Sequence, residues 1–165
     1  MSYWEGIGRS NDWHTPPSVF KALGCRFDMD VAAPADVTTA YVPADIFITE
    51  GALEMPWWGF VWMNPPFGGR NGLAPWLTKF TEHGNGIALT PDRTSAPWFQ
   101  DAVRSMDVVL FTRKLRFLRP DETEGKSPSN GTALMAIGAD GVGALHRAAQ
   151  RGFGVLMHPA ARRAA

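Results

Sequence analysis

The chain has 165 residues, of which 45% are hydrophobic and 19% charged, a balance that supports one folded domain and argues against disorder. A single cysteine, Cys25, excludes an intramolecular disulfide and a cysteine-cluster metal site, and the four histidines lack metal-ligand spacing, so no metal is expected. The formal net charge is +0, so no global field draws the protein to nucleic acid.

Charge is nonetheless unevenly placed. Residues 113–119 form a basic run, and after Asp140 there are Arg147, Arg151, Arg162 and Arg163 but no acid, which allows a local basic surface. The N-terminus shows no charged segment followed by an apolar one, and no apolar run approaches the ~20 residues that span a bilayer, so a cytoplasmic location is expected. Residues 1–12 read as a flexible arm, 13–158 as one domain and 159–165 as a basic tail.

The first predicted element follows Trp13-His14-Thr15-Pro16-Pro17. Proline suits the first turn of a helix, Thr15 or Ser18 is placed to cap it, and Gly24 ends it. A short strand then runs to Asp30 and is followed by Ala32 and Ala33. A carboxylate at a strand end before two small residues is either a turn aspartate or a ligand for an ammonium group, with room for a cofactor against the backbone. A further strand or turn is expected near 46–49. Glu50, the first acid beyond it, stands where Rossmann-like folds hold a ribose diol. Only 34 positions separate Asp30 from Asn64. A parallel βα repeat takes roughly 30 residues, so the sheet is expected to be abbreviated and the pocket completed from elsewhere, including Trp13–Pro16.

The next stretch, Phe60-Val61-Trp62-Met63-Asn64-Pro65-Pro66-Phe67-Gly68, is the most informative. An apolar run of β-formers stops at an amide, and two prolines then forbid a helix and impose an extended backbone. This predicts a buried strand delivering an amide and an aromatic ring to its carboxyl end, where open α/β sheets bind ligands. The residues suit alkylation of an exocyclic amine, whose lone pair is delocalised into its ring. Asn64 Oδ1 and the Pro65 carbonyl can accept from both N–H groups as positive charge develops. Pro66 fixes the turn, and Phe67 offers a face for base stacking.

Beyond it, a helix is predicted over 75–83, stopped by Gly84, with Trp76, Leu77 and Phe80 inward. A strand over 86–91 feeds a polar cluster containing Arg93 and Thr94. A helix over 98–104, strands over 108–111 and 132–138, a helix over 142–151 and an apolar segment 153–157 complete an α/β pattern. The basic run is expected to continue the 108–111 strand or its turn, and core packing is the favoured role for Trp57, Trp58 and Trp76.

Four elements in order, Trp13-x-Thr15-Pro16-Pro17, Phe27-x-x-Asp30-x-Ala32-Ala33, Val61-Trp62-x-Asn64-Pro65-Pro66-Phe67-Gly68 and Pro91-x-Arg93-Thr94 with Trp98-Phe99, resemble the phage- and prophage-encoded Dam-like DNA N6-adenine methyltransferases. The resemblance covers about 12–138. It implies an abbreviated Rossmann-like methyltransferase sheet with flanking helices, S-adenosyl-L-methionine as cofactor, double-stranded DNA as partner, and methyl transfer to a flipped adenine. Asn64, Pro65, Pro66 and Phe67 become the catalytic set. Trp13, Thr15, Pro16, Asp30, Ala32, Ala33 and Asn64 become cofactor contacts, joined by Glu50 from its place after the strand. Apart from the resemblance, Arg93, Arg113, Lys114 and Arg116, with Thr94 beside them, are candidate DNA contacts or solvated surface residues. Phe67 replaces the commoner tyrosine, and the glycine-rich cofactor motif of larger methyltransferases is absent. RNA adenine, a protein glutamine, or a catalytically inactive DNA-binding remnant are the alternatives.

Overall fold

In a computed structural model, residues 13–67, 72–125 and 131–160 are described. The arm at 1–12, the glycine-rich residues 68–71 and the tail from 161 lie outside them. The elements are α1 (Pro17–Leu23), β1 (Phe27–Asp30), β2 (Ala44–Phe47), β3 (Val61–Met63), α2 (Ala74–His83), β4 (Gly86–Pro91), α3 (Pro97–Val103), β5 (Val108–Thr112), β6 (Thr132–Ile137), α4 (Ala139–Gln150) and β7 (Gly154–Met157). Helices α1 and α2 end at Gly24 and Gly84, as the sequence predicts.

Among the described residues, seven strands form one sheet in the order β2-β1-β3-β4-β6-β5-β7. Strands β2, β1, β3 and β4 are parallel. Strand β6 is antiparallel to β4 and β5, and β7 is antiparallel to β5. The chain steps from β1 outward to β2 and then returns to the other side of β1 for β3. That reversal opens a crevice between the carboxyl ends of β1 and β3. Only β2 and a short 3-10 turn at Val37–Thr39 occupy the interval for which one shortened unit is expected.

The apolar run of β3 lacks polar alternation because both sheet faces are covered. Trp62 packs into the core shared with α1 and α4. Val61 and Met63 pack into the opposite core, with Leu77 and Phe80 of α2 and Phe99 of α3. Entry into β3 is clamped at Gly59, whose φ is +67° and whose missing Cβ would collide with the Asp28 carboxylate. The same carboxylate accepts from Phe60 N–H at 2.6 Å. Gly86 admits β4 close to β3, since a Cβ there would stand 2.5 Å from the Val61 carbonyl oxygen.

Three expectations change. Trp57 is buried, with Nε1–H donating to the Ala52 carbonyl at 2.8 Å, and Trp76 is half-buried against the same core, but Trp58 is 51% exposed. Trp58 keeps only its backbone N–H inward, donating to Met29 Sδ at 3.3 Å, and leaves its ring outside the core that takes Trp57. The basic run leaves the sheet after β5. Leu115 and Phe117 pack toward the α1/α4 core, and Leu118 forms isolated bridges to His14 and Glu124. Arg147 and Arg151 are used internally. Arg147 Nε donates to the Leu23 carbonyl at 3.0 Å, and Arg151 to those of Lys21 and Ala22 at 2.6 and 3.1 Å. These bonds satisfy carbonyls at the end of α1 that have no intrahelical partner.

Candidate active site

Because side chains alternate along a strand, Asn64 follows Trp62 onto the face covered by α1. Trp62 anchors that helix through Phe20, with ring centroids 4.9 Å apart. The lead-in to α1 therefore lies over the end of β3. Asn64 Nδ2 donates there to Thr15 Oγ1 at 3.0 Å. Thr15 is 4% exposed. It does not cap α1, whose N-cap is Pro16 with no side-chain bond, and neither does Ser18. The two residues that the sequence places in separate motifs are thus in direct contact. Asn64 Oδ1 takes no hydrogen bond from any described residue.

Pro65 is buried, Pro66 is exposed and Phe67 is 40% exposed, with part of its ring open for stacking. Asp30 pairs in register with Trp62. Asn64 lies two residues further along the neighbouring strand, about 8 Å from Asp30 between Cα atoms by strand spacing and rise. Asp30 is 2% exposed, and its Oδ1 accepts from Ala32 N–H at 3.2 Å. Burial pushes its carboxyl up from 3.8 to about 7, against a smaller lowering by that backbone bond. A carboxylate buried with so little compensation favours its neutral form, and a cation beside it would favour the charged one. An ammonium group fits this position. Beside it, Ala33 N–H donates to the Ile48 carbonyl, and Ile48 N–H to that of Asp30, tying the Ala-Ala turn to the end of β2. Glu50 lies two residues beyond Ile48 and is exposed.

Arg93 and Thr94 sit in the turn after β4. Thr94 N–H donates to the Asp92 carbonyl at 2.8 Å, and its own carbonyl accepts from Gln100. Arg113 and Lys114 are exposed just past β5. Arg116 is paired with Glu124 at 3.1 Å, an exposed contact of the kind that contributes little. These basic residues follow strands that run parallel to β3, so they share the end of the sheet that carries Asn64. Trp13 is exposed, and the Arg119 guanidinium lies 5.7 Å from its ring centroid. The sequence does not single out Arg119. Its signal was the alternation of basic and apolar residues from 113 to 119, which leaves Leu115 and Phe117 inward and the cations outward. His14 and Leu118 exchange backbone bonds at 2.9 and 3.0 Å, fixing this basic segment beside Thr15.

The Cys25 thiol is pushed up to about 11, chiefly by burial, and stays protonated. Among the described residues no group of three or more His, Cys, Asp or Glu is gathered to hold a metal, and no helix is long and apolar enough to cross a membrane.

A sheet that reverses between β1 and β3, with helices on both faces and Asn-Pro-Pro-Phe beside the reversal, has the fold of a Rossmann-like methyltransferase. The family model described as DNA N-6-adenine-methyltransferase (Dam) matches residues 8–140, most of the chain, and the protein belongs to that family. Its reaction is S-adenosylmethionine-dependent methylation of adenine N6 in DNA. Comparisons with curated proteins and with solved structures found no match.

Proposed function

We propose that Asn64, Pro65, Pro66 and Phe67 form the catalytic set and act on an adenine flipped out of double-stranded DNA. The observation that carries this reading is the Asn64 amide. Its nitrogen is committed to Thr15, which leaves the carbonyl end as the acceptor at the mouth of the β1/β3 crevice. Oδ1 accepts one N–H of the target amine, and the carbonyl of Pro65 accepts the other. Both oxygens then face the positive charge that develops on nitrogen. Phe67 stacks on the extruded base. Pro66 holds the backbone extended, so that amide and ring keep their separation.

Asp30 carries a negative charge where the cofactor's ammonium is received, and the small side chains of Ala32 and Ala33 leave the backbone open beside it. Glu50 at the end of β2 takes the ribose diol. Trp13 and Pro16 close the pocket from the α1 side, and Thr15 meets it through Asn64. When bound, S-adenosylmethionine supplies an electrophilic methyl group. The chain provides orientation and charge complementarity, and no nucleophilic side chain is required of it. Arg93, Thr94, Arg113, Lys114 and Arg116 contact phosphates or base edges along the same rim. The location is that of the DNA, in the cytoplasm.

The test offers labelled cofactor with double-stranded DNA, single-stranded DNA and RNA to the wild type and to Asn64→Ala. The expected result is label in adenine of double-stranded DNA, lost in the variant while cofactor affinity stays within about threefold. Equal labelling by the variant, or labelling confined to RNA, would defeat the reading.

A further inference from the structure

Thr15 is bound by an unusual set of constraints for a residue beside a helix start. Threonine before a helix is ordinarily spent on capping, yet here the cap is Pro16 and the hydroxyl serves a residue 49 positions away. The backbone on either side of Thr15 is fixed. His14 and Leu118 exchange two backbone bonds, and Val19 N–H donates to the Pro16 carbonyl at 3.0 Å. Two prolines follow Thr15 and remove most remaining freedom. The side chain itself is buried. The hydroxyl is therefore held in place by main-chain structure and does not merely follow Asn64.

We propose that Thr15 is the positioning residue that holds the Asn64 side chain at the mouth of the crevice. This rests on the reading that Asn64 Oδ1 accepts from the target amine. The terminal torsion of asparagine is broad and roughly two-fold. One orientation offers oxygen to the amine. The other offers NH2, a donor facing a donor, which cannot meet positive charge on the substrate nitrogen. A hydroxyl accepts from Nδ2 or donates to Oδ1 equally well, so Thr15 pins the far end of the amide, and the donating substrate amine then selects the orientation that turns Oδ1 toward it.

The test measures kcat at saturating cofactor, the Kd of S-adenosylhomocysteine and the thermal midpoint for a short series of variants. Thr15→Val keeps the shape and loses the acceptor. Its kcat should fall about tenfold, the scale set by one hydrogen bond, with Kd within about threefold of wild type. Thr15→Ser should restore kcat to within about twofold. Should Thr15→Val fail to fold, Thr15→Ala carries the same expectation.

Undiminished kcat in Thr15→Val would overturn the proposal. So would a weakened Kd with kcat retained at saturation, which would make Thr15 a cofactor contact only. Failure of the underlying reading looks different, since Asn64→Ala would then methylate DNA normally.

Discussion

Titrating cofactor affinity against pH, in the wild type and in Asp30→Asn, isolates the part played by one buried carboxylate. In the cofactor-free protein its pKa is about 7, raised chiefly by burial. An ammonium beside it returns the preference to the charged form. The protonated fraction must then lose its proton before the pair forms, so apparent Kd rises as pH falls below 7. Linkage gives a Kd about 1.1 times its limiting value at pH 8, about twofold higher at pH 7 and about elevenfold higher at pH 6. Binding of S-adenosylhomocysteine should release about one proton at pH 6 and about a tenth at pH 8, read by calorimetry in buffers of different ionisation enthalpy.

Asp30→Asn keeps the acceptor for Ala32 N–H and removes the charge. It should weaken binding at pH 8 by at least about a hundredfold, because it leaves an ammonium without its partner. It should also flatten the pH dependence. The same variant should stabilise the cofactor-free protein. The folded chain holds a proton that the unfolded chain has lost between pH ~4 and ~7, so wild-type stability falls as pH rises through that window. The upper bound is roughly 4 kcal/mol from the two pKa values, or on the order of 10 °C in thermal midpoint at pH 8. A Kd that is flat from pH 6 to 8 in the wild type would refute the argument. So would an identical slope in Asp30→Asn.

Phe67→Ala should lower kcat/KM on DNA by about 5- to 150-fold, the range of one base–aromatic stack, whereas Phe67→Tyr should stay within about threefold. Fluorescence of 2-aminopurine at the target position reports the same loss of stacking, and equal signals in both variants would argue against it. Arg147→Ala removes the Nε bond to the Leu23 carbonyl and should cost about 1–2 kcal/mol of stability in urea. Cofactor Kd of the folded variant should be unchanged, and an unaltered urea midpoint would show that the end of α1 does not depend on α4.

The parts of the fold that were legible share one property: their signals are local. The apolar run before Asn64 ends at two prolines, and Gly24 and Gly84 mark the ends of α1 and α2. Strand β2 begins two residues before the predicted 46–49, and α4 three residues before the predicted 142. The second shift has a clear cause. Gly141 and Gly143 weaken the helical signal, yet a Cβ at Gly141 would lie 2.8 Å from the Gly86 carbonyl oxygen, so helix and sheet meet closely there. What was not legible depends on partners far away in the chain. The insertion of β6 between β4 and β5 is a matter of long-range pairing. The separation of Trp57 from Trp58 depends on which of them meets Ala52. The arginines after Asp140 read as surface charge until α1 supplies carbonyls for two of them.

The candidate site divides in the same way. Asn64, Phe67 and Asp30 are visible as residues that end strands. Thr15 is visible as a cap candidate and as part of the Trp-x-Thr-Pro-Pro element, but no sequence pattern says that Pro16 takes the cap position and frees the hydroxyl for Asn64. The contact between Thr15 and Asn64 exists because Trp62 turns its face, and that of Asn64, toward α1.

The most direct measurement is mass spectrometry of nucleosides from plasmid DNA, recovered from a methylation-free host that expresses the wild type or Asn64→Ala. The account predicts N6-methyladenine with the wild type and none above background with the variant. N4-methylcytosine in its place, or equal N6-methyladenine from both proteins, would contradict it.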